Sequence, residues 1–303
     1  MTQDMPYHDL TTVKANTIEI AYDAFGEESS PPILLISGLS EQLIDWGDAF
    51  CKELASKGFY VIRFDNRDSG LSTKFDDAEI PDINAIMQKI MGAVTSLPYT
   101  MKDMADDAIG LLDAIGVDSA NIVGFSIGGG IAQLMSIHYP NKVRTMTCIG
   151  YTTGDPSLPD PSPEAQSVLF TPRPTAKEGF IQATVDALRF SNGDVLPFNE
   201  TKAIDLTKRA YDRSFNPAGT IRQLAASLTL GSVKDELQNV KIPTLVIHGD
   251  ADPFFPIECG KDIAESIPNS KLVIIKGFGH ILPELYTKEV QGQIIDAISN
   301  IAE

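Results

Sequence analysis

The chain has 303 residues, 43% of them hydrophobic and 21% charged, the proportions of a soluble globular protein long enough to bury a sizeable core. Lys and Arg number 24 against 41 Asp and Glu, and the formal net charge of −17 repels nucleic acid and anionic membranes, so neither is an expected partner. Three widely spaced cysteines, Cys51, Cys148 and Cys259, form no CxxC pair, which argues against a zinc site or redox pair and fits a reducing, cytoplasmic location.

The opening MTQDMPYHDL lacks the basic start and apolar core of a signal peptide, and no run approaches the roughly 18 apolar residues of a membrane span. Ile33–Ile36, just after Pro31-Pro32, predicts a buried strand. Helical periodicity over 48–57 stops at Gly58, and 59–64 predicts the next strand. A helix follows over 101–115, with apolar residues at 101, 104, 105, 108, 111, 112 and 115, and Gly116 ends it. Further strands are predicted at 122–125, 143–149, 244–247 and 272–275. Between the first two of these, Ile127, Ile131, Leu134 and Met135 mark one helix face up to Pro140. Continuously apolar strands alternating with helices predict an α/β domain: a mostly parallel central sheet flanked by helices.

The alternation breaks between about Gly150 and Val240. The proline-rich GDPSLPDPSPEAQ is followed by helical stretches over 177–190 and 200–213, with no clear strand. Residues 151–240 therefore read as a helical cap inserted over one end of the sheet, with 1–150 and 241–303 forming the core domain. Phe170, Phe180, Phe190 and Phe198 in this segment, and Met87 and Met91 upstream, suggest an apolar pocket wall. Most aromatics at such spacing simply pack a core.

NIVGFSIGGG at 121–130 places Ser126 in G-x-S-x-G, between a strand and a helix. A P-loop would need Gly-Lys-Ser/Thr, and a dinucleotide turn needs G-x-G-x-x-G. The bland alternative is a serine N-cap after a glycine-rich turn. The strand before and the helix after favour a nucleophile on a sharp turn, where residues two positions either side must approach closely and the helix N-terminus favours developing negative charge. Such a serine needs a histidine base and an orienting carboxylate, in the chain order Ser, acid, His. Among four histidines, His8 lies in the N-terminal segment, His138 lies late on the following helix, and His248 precedes the acid. His280, in IIKGFGHILPE after the last predicted strand, has the required place. VIHGDADPFFP offers Asp250 and Asp252. The G-x-x-D spacing favours Asp252, leaving Asp250 as a turn residue that accepts local backbone N–H bonds. The close-set carboxylates of this run are commoner in turns than as metal ligands.

Taken in order, LLISGLSEQLIDW, VIRFDNRDSGLST, VGFSIGGGIAQ, and the pair VIHGDADPFFP and IKGFGH resemble the α/β-hydrolase superfamily over nearly the whole chain. RDSGLST and the residues after Ser126 are most similar to a branch that includes aclacinomycin methylesterase and many carboxylesterases. The resemblance implies an oxyanion hole made by the backbone N–H groups of Leu39 and Ile127. Many members carry His-Gly where this chain has Ser37-Gly38, a departure that bears on how the loop before Leu39 is supported. It also implies that Asp65, Arg67 and Asp68 form a structural hydrogen-bonding turn. The expected activity is cleavage of carboxylic esters of small, neutral or apolar substrates through an acyl-enzyme, with no cofactor and no metal. The same triad serves C–C bond hydrolases, lactonases, peptidases and perhydrolases. A non-catalytic ligand-binding or signalling protein could also retain it. Trp46, just past the oxyanion loop, is the candidate substrate-binding residue at a pocket edge.

Overall fold

The computed structural model of the chain describes residues 6–87 and 97–302. An eight-stranded sheet is built from β1 (Tyr7–Ala15), β2 (Ile18–Phe25), β3 (Pro32–Ile36), β4 (Tyr60–Phe64), β5 (Ala120–Phe125), β6 (Val143–Ile149), β7 (Thr244–Gly249) and β8 (Ser270–Ile275). Its order is β1-β2-β4-β3-β5-β6-β7-β8. The β1–β2 and β2–β4 pairs are antiparallel, and every pairing from β4–β3 onward is parallel.

The helices α1 (Asp48–Ser56), α2 (Ile83–Met87), α3 (Met101–Ala114) and α4 (Ile127–His138) lie in the first half of the chain. Then come α5 (Pro163–Phe170), α6 (Lys177–Asn192), α7 (Glu200–Arg213), α8 (Pro217–Leu228) and α9 (Lys234–Leu237), and finally α10 (Ile257–Ser266) and α11 (Lys288–Ala302). Every residue of β3, β4 and β5 is buried, as continuous apolar runs require. Side chains alternate between two cores. Leu34, Ile36 and Ile122 pack with Met104, Leu111 and Ile131 of α3 and α4, and Ile33, Leu35 and Val123 pack with Phe50 and Leu54 of α1 and Ile294 and Ile298 of α11.

The sequence reading holds no strand before Ile33, yet β1 and β2 form a hairpin there. β1 is the sheet edge and most of its residues are exposed, so YHDLTTVKA lacks the apolar run that marks the interior strands. No helix among the described residues is long and apolar enough to cross a membrane.

Between β6 and β7 the described residues form five helices and no strand. The chain leaves and returns through a narrow neck. Val233 donates its N–H to the Thr153 carbonyl at 2.9 Å, Lys234 pairs with Asp155 at 2.7 Å, and the Tyr151 and Ser227 hydroxyls meet at 3.3 Å. Helices α5 to α8 lie beyond this neck, and α9 carries the chain on towards β7.

Candidate active site

The sheet topology reverses between β3 and β5, so the loops leaving these adjacent strands diverge and open a crevice at their carboxyl ends. Ile36 pairs with Gly124, and Gly124 with Cys148, which sets the loops after β3, β5 and β6 side by side. Ser126 sits in this crevice with φ 53° and ψ −126°. A serine at positive φ costs about 1–3 kcal/mol and persists only where its surroundings impose it. Two bonds do so: Ser126 N–H to the Ile149 carbonyl at 2.9 Å, and Gly129 N–H to the Ser126 carbonyl at 2.7 Å. The flanking glycines are equally constrained. A Cβ on Gly124 would lie 2.1 Å from the Gly128 carbonyl oxygen, and one on Gly128 would lie 2.2 Å from that of Ile36.

The expected serine, acid and histidine come together. His280 Nε2 lies 2.9 Å from Ser126 Oγ, and its Nδ1 lies 2.7 Å from Asp252 Oδ2. The Asp252 side chain is 1% exposed and that of His280 10%, so the pair works largely out of water. The other Asp252 oxygen accepts the N–H groups of Phe254 and Phe255, each at 2.9 Å. Burial alone pushes this carboxyl up. The charge and hydrogen bond of His280, with His248 and the Phe255 N–H, outweigh burial and hold it below its ordinary value.

The local turn bonds expected of Asp250 are made by Asp252 instead. Asp250 accepts the N–H of Gly277 at 2.5 Å and so braces the loop that carries His280. That loop is also held by the helical segment, since His280 N–H donates to the Ser191 carbonyl of α6 at 2.6 Å. His248 is fully buried behind the acid, donates Nε2–H to the Phe255 carbonyl at 2.8 Å, and lies 4.0 Å from Asp252. Burial depresses its pKa, outweighing the charge of Asp252. His8 lies on β1 near Glu28, and His138 ends α4.

Three phenylalanine rings surround the His280 imidazole. Phe125 lies at 4.9 Å, Phe254 at 5.3 Å and Phe255 at 5.4 Å between centroids. Phe190 reaches this group edge-on to Phe254 at 6.1 Å, whereas Phe180 packs with Tyr211 and Phe215 and Phe198 lies under Arg189. Sequence reasoning passed over Phe254 and Phe255, although PFFP directly after the acid was the available signal. Met87 is exposed, and Met91 lies outside the described residues.

Trp46 does not reach the site. Its side chain is 0% exposed and stacks on Phe50 in the core beneath α1 and α11. Its proximity to the oxyanion loop in sequence is undone by the 3-10 turn at Leu43–Trp46, which turns the indole into the core. Leu39 is partly exposed and Ile127 opens α4. The N–H of neither has an acceptor among the described residues. Gly128 brings that first turn of α4 against the end of β3, next to the loop that carries Leu39.

Asp65, Arg67 and Asp68 form the polar turn expected of them, and it extends to the helical segment. Asp65 accepts Leu43 N–H at 2.8 Å and pairs with Arg213 of α7 at 2.7 Å. Asp68 pairs with Arg222 of α8 at 2.8 and 2.9 Å and accepts from Tyr99. Arg67 pairs with Asp107 of α3 at 2.6 Å.

The profile of the alpha/beta hydrolase fold matches residues 31–285. Rhodomycin D methylesterase of Streptomyces sp. (strain C5) is 29% identical over 285 residues, 86% of this chain and 88% of that protein. 3-Oxoadipate enol-lactonase 2 of Acinetobacter baylyi is 23% identical over 272 residues, 89% and 90% of the two chains. Among solved structures, the enol-lactonase from Burkholderia xenovorans LB400 superposes with a TM-score of 0.71 at 19% identity, covering 96% of this chain and 99% of that one.

Proposed function

The chain belongs to the alpha/beta hydrolase fold family, and from that premise we propose that it is a serine hydrolase cleaving carboxylic esters of small, neutral or apolar substrates. The observation that carries this reading is the unbroken chain from Ser126 Oγ through the His280 ring to Asp252. The names of the relatives point the same way, one to a methyl ester and one to an enol-lactone, which is a cyclic ester.

In this mechanism His280 Nε2 takes the Ser126 proton as Oγ attacks the ester carbonyl. Asp252 fixes the Nδ1–H tautomer and stabilises the imidazolium. The N–H groups of Leu39 and Ile127 receive the oxyanion, and loss of one such donor costs about 2.7–4 kcal/mol. His280 then protonates the leaving alcohol. Water repeats the cycle on the acyl-enzyme and releases the acid. Phe125, Phe254 and Phe255 give the base an apolar surround, which suits an uncharged substrate. Residues 151–240 act as the cap that bounds the substrate, with Phe190 its contribution to this wall.

The test is hydrolysis of p-nitrophenyl acetate, butyrate and octanoate by the wild type and by Ser126→Ala. Multiple turnover is expected in the wild type, with kcat at least about 10⁴-fold lower in the variant. Equal rates in the two proteins would remove Ser126 as the nucleophile.

A further inference from the structure

Three successive backbone N–H groups, those of Gly38, Leu39 and Ser40, line the loop after β3. The first donates to the Glu41 carboxylate at 2.6 Å, and the third donates to Gln223 Oε1 of α8 at 3.0 Å. The middle one, Leu39, has no acceptor among the described residues. We propose that Glu41 and Gln223 are positioning residues that occupy the neighbouring N–H groups and aim the Leu39 N–H at the oxyanion, so that helix α8 completes the oxyanion hole from outside the core. This inference rests on the ester-hydrolase reading.

Gln223 suits the task because both ends of its amide are engaged. Its side chain is fully buried, its Oε1 holds Ser40, and its Nε2 donates to the Arg67 carbonyl at 2.7 Å and to Ser69 Oγ at 3.0 Å. The amide thus ties the oxyanion loop to the turn after β4 and both to α8. Ser40 needs such a restraint, since its φ of 61° is a conformation that non-glycine residues rarely hold unaided. Glu41 closes the other side. Its N–H returns to the Gly38 carbonyl at 3.3 Å, completing a tight turn, and a Cβ on Gly38 would lie 2.7 Å from Glu41 Oε2. That same point is 3.2 Å from the ring of Phe125, the residue before Ser126, so the turn abuts the nucleophile. The family's more usual histidine before this glycine is Ser37 here, and Glu41 and Gln223 provide a support for the loop that does not involve it. Arg222 anchors α8 independently through Asp68, so removing the Gln223 amide leaves the helix docked.

The test uses Gln223→Met, which keeps length and removes every polar contact, with Gln223→Glu as a near-isosteric second variant. kcat and KM for p-nitrophenyl butyrate are measured beside inhibition by an alkyl trifluoromethyl ketone. Addition of Ser126 Oγ to that ketone turns its carbonyl into an oxyanion and passes the serine proton to His280. The Met variant should lose about 10- to 100-fold in kcat, less than deletion of a donor, with KM changed less than threefold. The ketone should weaken by the same factor in each variant. A kcat within twofold of wild type, or a fallen kcat with unchanged ketone affinity, overturns the inference while the ester-hydrolase reading stands. If Ser126→Ala proves as active as the wild type, both fall together.

Discussion

The sheet domain and the helical segment between β6 and β7 are joined by different physics. Around Ser126 the chain is fixed by close backbone approach. Gly128 abuts the Ile36 carbonyl of β3 and Gly124 abuts the Gly128 carbonyl of α4, and every residue of β3 and β5 is buried. The segment buries Ile181, Val185, Ala203 and Leu206 in the core beneath α1 and α11, and adds directed polar contacts: Arg213 to Asp65, Arg222 to Asp68, Gln223 to Ser40, and Gln42 Nε2 to the carbonyls of Ala210 and Ser214 at 2.7 and 3.0 Å. Packing tolerates little displacement, whereas an ion pair exchanges partners and depends on charge. The surroundings of Ser126 are thus fixed by backbone packing, while the ion pairs of the segment depend on charge.

Three changes test that contrast. Asp252→Asn should give the largest effect, a loss of about 10⁴ in kcat from the wrong imidazole tautomer, read by steady-state kinetics. Retention of more than a tenth of the activity would mean that the polar chain behind Ser126 is not what drives attack. Arg222→Met should act on the junction instead. It strands the buried Asp68 carboxylate and should lower stability by about 3–5 kcal/mol in urea unfolding. An unchanged urea midpoint would show that the segment is held by something other than its ion pairs.

The smallest effect concerns Asp45, which accepts the Gln42 N–H at 2.6 Å beside the junction. Burial lifts its carboxyl to about 6, against the lowering effect of that hydrogen bond and of Arg213 and Arg209. A carboxyl raised on folding contributes its full stability below its unfolded value, near about pH 4, and loses it as pH rises through the folded value. Asp45→Asn keeps an acceptor for Gln42 and should match the wild type in acid. Its melting temperature should exceed that of the wild type above about pH 6. A difference that does not vary with pH would sharpen the comparison by assigning the effect to geometry and not to charge.

Local chemistry was legible where it repeats along the chain. The interior strands appeared as apolar runs, α6 and α7 as periodic ones, and the Ser126 turn as a glycine pattern, because each is decided by neighbours in sequence. Trp46 was misread since nearness along the chain says nothing about which side of a 3-10 turn an indole takes. Asp250 was given local bonds because its true partner, Gly277, lies across a strand pairing. Arg222 and Gln223 fall in a stretch where the sequence reading names no element, and both are buried, with partners Asp68 and Ser40 more than a hundred residues away. No periodicity can reveal such a contact.

The neck at Thr153 and Val233 has a consequence for how this chain can change. Because the ends of the excursion already meet through a hydrogen bond, its length is nearly free to drift. Each doubling of a closed loop adds only about 0.6 kcal/mol of closure entropy, so trading roughly 80 residues for a tenth of that number alters the closure term by about 2 kcal/mol. No ladder bond of the sheet is touched by such a trade, because the crossover into β7 begins below the neck. A change of length beyond the neck therefore spares the sheet ladder but not the loops that carry His280 and Ser40, since Ser191 and Gln223 of the excursion hold them.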